Sequence, residues 1–80
     1  MTTRDQLQRA LERFDSGATV SVEGGITLLA TVISSSFEGL NEALRQQLVW
    51  RHLRAEFDAD ERALANIEFV FTNAPDDGQQ

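Results

Sequence analysis

This sequence predicts an α+β domain, ordered helix, strand, strand, helix, short helix, strand, with a three-stranded mixed sheet covered by helices on one face. Three observations predict it. Apolar residues recur at helical spacing in two separated stretches, one from Leu7 to Phe14 and one from Leu40 to Phe57. Alternating apolar and polar residues mark three others, Ala18 to Glu23, Ile26 to Ile33 and Ile67 to Thr72. The pair Gly24-Gly25 joins the first two of those runs and signals a tight hairpin.

In the first helix, Thr3 with Gln6 three residues later forms a capping box. Leu7, Ala10, Leu11 and Phe14 then make one apolar face, Arg9, Glu12 and Arg13 the wet one, and Gly17 supplies a stop. Val20 and Val22 point one way in the first strand. In the return strand Ile26, Leu28, Ala30 and Val32 share a face, while Leu29 and Ile33 make the other partly apolar. A strand apolar on both sides belongs at the centre of a sheet or in a dimer surface.

Ser34-Ser35-Ser36 breaks that strand and Phe37-Glu38-Gly39-Leu40 turns the chain. Asn41 caps the second helix, and Glu42 suits the positive end of its dipole. Leu40, Leu44, Leu48 and Trp50 are expected to face the core, with Leu53 and Phe57 continuing the stripe. Asp58 and Glu61 are expected to cap a further short turn through Ala63 and Leu64. Ile67, Phe69 and Phe71 then alternate along a third strand and are expected to pack against the helices. The helical crossover predicts that this strand pairs in parallel with the second. Residues 1–75 make a single domain, and 76–80 a polar, disordered tail.

Eighty residues leave room for one small core, and domains of this size often dimerise to hide apolar surface, so a homodimer stays open. No apolar run spans a membrane and no signal peptide opens the chain, so a cytosolic protein is expected. The absence of cysteine removes disulfides, thiolate catalysis and cysteine metal sites. The formal net charge is −6, and all seven basic residues are arginines. That field disfavours nucleic acid and fits a basic or neutral protein partner better.

The segment from Phe37 to Leu53 carries the functional information. It reads Phe37, Gly39, then Arg45-Gln46-Gln47, Leu48-Val49-Trp50 and Leu53. At that spacing it resembles the signature of the BolA-like proteins, and the resemblance extends over roughly residues 18 to 75. The family's order of elements is similar to the type II KH fold. Most members have histidine where Gln46 stands; the acid-stress branch has a Gln-Gln pair, as this chain does. The resemblance implies a non-enzymatic regulatory domain of stress response or iron homeostasis, with a monothiol glutaredoxin as partner.

The family's cluster-binding side chains do not carry over. Ala65 stands where the family has a histidine before the third strand. Gly25, Ile26 and Thr27 occupy the hairpin loop where many members have cysteine or histidine. Ligation of an iron–sulfur cluster needs thiolate or imidazole, so no cofactor and no metal ligand are expected. His52, the single histidine, is read as satisfied or solvent-facing rather than as a ligand.

The candidate binding residues are therefore Gly39, Arg45, Gln46 and Gln47. Arg45-Gln46-Gln47 reads either as a polar recognition patch or as an ordinary exposed helix face, and Gly39 mainly as a backbone turn. No catalytic signature is present. Two further readings remain beside the adaptor: a KH-like nucleic-acid-binding transcriptional regulator, and an interaction domain that has kept the fold and lost the family activity.

Overall fold

Thr3 starts the first helix by the reciprocal bonds its spacing to Gln6 predicts. Its hydroxyl accepts from the Gln6 amide at 3.1 Å, and the Gln6 side chain accepts from the Thr3 amide at 2.9 Å. From that cap the computed structural model, which describes residues 1–76, runs through α1 (Arg4–Glu12), β1 (Thr19–Gly24) and β2 (Leu28–Ile33). A 3-10 turn at Ser35–Phe37 leads into α2 (Glu42–Glu56), a four-residue α3 (Glu61–Leu64) and β3 (Ile67–Asn73). Residues 77–80 of the expected tail lie outside the described residues.

The sheet order is β1-β2-β3, with β1 antiparallel and β3 parallel to the central β2. Both pairings match the expectation from the hairpin and the helical crossover. The hairpin itself differs. Gly24 pairs with Leu28, so Gly25, Ile26 and Thr27 form a three-residue loop, and Ile26 is 74% exposed rather than part of the strand's inner face. Of the Gly24-Gly25 pair, only Gly24 has positive φ, at 107°. A Cβ there would sit 2.1 Å from the Thr27 carbonyl oxygen, so the turn closes around a position with no side chain.

One core lies between the sheet and α1 and α2. Leu7, Ala10 and Leu11 of α1, Leu28, Ala30 and Val32 of β2, and Val49 and Leu53 of α2 are buried around Phe37. Each large apolar side chain of this kind stabilises the fold by roughly 1.5–3 kcal/mol. The α2 stripe is rotated from expectation. Val49 is buried where Leu48 was expected, Leu40, Leu48 and Trp50 are half-buried, and Leu44 is 44% exposed. Leu48 and Val49 are both apolar, so spacing could not choose between two faces about 100° apart.

β3 departs for a different reason. The register moves from Leu28 opposite Ile67 to Leu29 opposite Phe69, leaving Glu68 as an extra residue. That bulge inverts the alternation beyond it. Val70 and Thr72 turn to the core, while Phe69 and Phe71 lie on the opposite face of the sheet, 40% and 48% exposed. The short helix α3 is capped by Asp60, not by Asp58.

Candidate functional site

The turn before α2 is built from local bonds. The Glu38 and Leu40 amides donate to the Ser35 and Phe37 carbonyls, each at 3.1 Å, and Gly39 takes φ 77° with open space around it. Asn41 then caps α2 through a 3.0 Å bond from the Leu44 amide to its side chain. Gly39 is required by backbone geometry, and its exposed position leaves the turn accessible.

The next two candidate residues face inward and close an edge of the sheet. The amide of Leu28 donates to Asn66, and that of Ser34 to Asn73, so the backbone of Asn73 and Phe71 turns towards β2. By strand alternation the polar groups of Val70 and Thr72 turn to the free edge. Gln46 donates to the Val70 carbonyl at 2.7 Å and to Glu42 at 3.1 Å, and accepts from the Trp50 indole at 3.0 Å. Arg45 donates to the Leu40 carbonyl at 2.9 Å and reaches the Thr72 carbonyl at 3.4 Å. Glu42 accepts from the Thr72 hydroxyl at 2.5 Å. Arg45 and Gln46 are thus half-buried, not an exposed helix face; of the three, only Gln47 is exposed.

What α2 does present outward is a strip at helical spacing: Leu44, Gln47, Arg51 and Arg54, all exposed. Among the described residues no ion pair or hydrogen bond engages the guanidinium of Arg51 or Arg54, and the strip carries no carboxylate. In a chain of net charge −6 it is a local positive surface with an apolar residue at its start. Arg51 and Arg54 follow Gln47 at i+4 and i+7, a helical spacing that is legible in the sequence.

His52 is satisfied internally. Its Nε2–H donates to the Ala10 carbonyl at 2.7 Å, and its ring meets Phe14 edge-on at 5.5 Å. Beside it Arg13 binds Glu56 at 2.8 Å through Nε, which holds the Glu56 carboxyl below its ordinary value and raises the Arg13 guanidinium. Two other polar joints have no local signature because their partners are far apart in the chain. Asp15 accepts from the Ser34 hydroxyl and from the Gly17 amide, bonds that lower its carboxyl. Asn66 accepts from the Thr2 amide at 3.1 Å and donates to the carbonyls of Thr2 and Ile26, at 2.7 and 3.0 Å.

That last joint bears on metal chemistry. It brings the hairpin loop against the turn before β3, the two places where the family resemblance would put cluster ligands. Ile26 and Ala65 with their neighbours offer no thiolate or imidazole there, and His52 already serves Ala10. Among the described residues no three His, Cys, Asp or Glu side chains converge on a metal position. The residues present do not fit an iron–sulfur cluster held by this chain.

The fold defined by these elements is BolA-like: helix, hairpin, helix and a third strand returning parallel to the second. The solved structure of a bolA protein homologue from Coxiella burnetii matches it over 100% of both chains, with a TM-score of 0.67 and 24% sequence identity. No family model matches the sequence, and no curated protein matches it either. No helix among the described residues is long and apolar enough to cross a membrane.

Proposed function

We propose that the chain is a BolA-like adaptor domain without catalytic activity, working in the cytosol in stress response or iron homeostasis. It acts by binding a monothiol glutaredoxin-type protein, and it contributes no ligand of its own to a cluster. The observation that carries the reading is the outward strip of α2. Gly39, Leu44, Gln47, Arg51 and Arg54 offer an apolar start and two cations without internal partners to an acidic protein surface. Arg45 and Gln46 support that strip from behind by fixing α2 on β3.

Calorimetric titration with a cognate monothiol glutaredoxin, with and without a reconstituted cluster, tests it. Association is expected in both cases, weakened about tenfold or more by the double change Arg51→Glu and Arg54→Glu. No association under either condition overturns the proposal. A salt-sensitive gel shift with nucleic acid, lost in the same double variant, supports the KH-like regulator instead.

A further inference from the structure

Among the described residues no element covers the face of the sheet opposite the helices. Cross-strand register arranges it in rows: Glu23, Leu29 and Phe69; then Ser21, Thr31 and Phe71; then Thr19, Ile33 and Asn73. The bulge adds Glu68 beside Phe69, so two carboxylates stand at the hairpin end, one on either side of Leu29. Among the described residues no ion pair engages either one, and the face carries no basic residue. Leu29, Ile33, Phe69 and Phe71 make the β2 and β3 columns apolar, with the two phenylalanines in edge contact at 4.8 Å. Parallel strand pairs are normally covered by helices on both faces, and the parallel β2–β3 pair is the half left bare.

We propose that this face docks an amphipathic helix of another protein, apolar along one stripe and carrying arginine or lysine at the end over the hairpin. Charge selects the occupant. Two unpaired carboxylates at one end of an apolar surface oppose the same face of a second copy, an anionic lipid surface and a nucleic-acid backbone alike. A stacking platform for single-stranded nucleic acid would also need cations beside its aromatics. The carboxylates attract a cation instead. They also set which end of the helix lies where, because the opposite row of Thr19, Ile33 and Asn73 is uncharged.

The dimensions suit one helix. Three strands about 4.8 Å apart give a width of about 10 Å, and three same-face rows about 6.8 Å apart give a length of about 14 Å. An α-helix is about 10 Å across, and about nine of its residues cover that length. Apolar side chains recurring once per turn then reach from Leu29 past Phe71 to Ile33. A single helix buries less than a standard interface, so the complex is transient, with Kd on the order of 100 μM. Occupation of this face asks nothing of the outward strip of α2, which lies on the other side of the domain.

The test is amide NMR titration with three stapled helical peptides of about 12 residues each. The first has leucines once per turn and arginines at one end; the second replaces the arginines by glutamates, and the third keeps the arginines but replaces the leucines by glutamines. The first peptide is expected to shift the rows of Leu29 and Thr31, and the other two to bind about tenfold or more weaker. Glu23→Lys with Glu68→Lys reverses the preference between the first two peptides, and Phe71→Ser weakens both. Glu38→Lys, a charge change of the same sign away from the face, leaves binding within about twofold. Equal binding of the first two peptides overturns the proposal, as does equal binding of the third, or no shift at about 1 mM peptide. So do shifts of these rows that grow with protein concentration alone, the mark of a second copy, or that a single-stranded oligonucleotide produces and salt removes.

Discussion

The side-chain amide of Gln46 donates to the backbone carbonyl of Val70 at 2.7 Å, and on the other side of the sheet Gln8 of α1 does the same to Val20 at 2.9 Å. Both carbonyls point away from β2. Each edge strand therefore has an outward acceptor occupied by a glutamine from the helix packed over it. An unpaired strand edge is a template for pairing with other chains, and covering its polar groups blunts that tendency. The Gln46 member of the pair also lies in the signature segment, so one residue both seals β3 and holds the candidate surface in place.

Replacing Gln46 tests this latch. Gln46→Met keeps the volume but leaves the Val70 carbonyl and the Trp50 indole without their partner, which costs about 1–2 kcal/mol in urea unfolding. Gln46→Glu retains an acceptor for Trp50 but sets a carboxylate against Glu42 and the Val70 carbonyl. It is expected to cost more than Gln46→Met at neutral pH and to recover stability as the pH falls below about 5. Equal losses in the two variants at all pH values would contradict the latch.

The two positive-φ glycines predict unequal costs. At Gly39 a Cβ meets nothing, so Gly39→Ala carries only the left-handed backbone penalty of about 1 kcal/mol. At Gly24 the same atom lies 2.1 Å from the Thr27 carbonyl, and the loop must open. Gly24→Ala is expected to lower the melting temperature by at least twice as much as Gly39→Ala.

Acid should weaken the fold through the carboxyls of Asp15 and Glu56. Hydrogen bonds from Ser34 and Gly17, and from Arg13, lower these two groups in the folded state. A carboxyl lowered by folding contributes stability that is present above its unfolded value and lost as pH falls through the folded one. The urea midpoint is therefore expected to decline from about pH 4 downward. In Asp15→Asn the decline should be shallower, with a lower midpoint at neutral pH; an unchanged profile would remove Asp15 from the account.

The order of elements, both caps Thr3 and Asn41, and the parallel return of β3 were legible because each has a local or topological cause. Three things were not. The bulge at Glu68 follows from how β3 meets β2, and it inverted the faces assigned to Phe69 and Phe71. Leu48 and Val49 are equally apolar, and the choice between them depends on where α2 docks. The roles of Arg45 and Gln46 depend on carbonyls 27 and 24 residues away. Polar side chains in a helix look exposed until the strand they cap is in place.

The end of α2 holds strain that substitution can release. Asp58 and Ala59 take φ 54° and 55°, and their amides donate to Ala55 and Arg54 at 3.4 and 2.6 Å. These are the two bonds of a Schellman ending, usually built on glycine. Ala59→Gly is expected to stabilise the domain by about 0.5–1 kcal/mol, net of the entropy glycine adds to the unfolded chain. A lower melting temperature would contradict it.

Asn66 joins three segments that are otherwise separate: the start of the chain at Thr2, the hairpin loop at Ile26 and the entry to β3. Thr2, itself buried, adds a bond from its hydroxyl to the Ala63 carbonyl. Asn66→Ala removes one acceptor and two donated bonds, an expected loss of about 2–3 kcal/mol. Asn66→Asp keeps the acceptor for the Thr2 amide but turns a carboxylate towards two carbonyls, and should lose at least as much at neutral pH. Hydrogen exchange separates this joint from a general weakening. The Thr2 amide and the loop from Gly25 to Thr27 should lose protection before the β1–β2 ladder does. Uniform loss across both would mean that Asn66 supports the whole sheet, not the end where the hairpin meets β3.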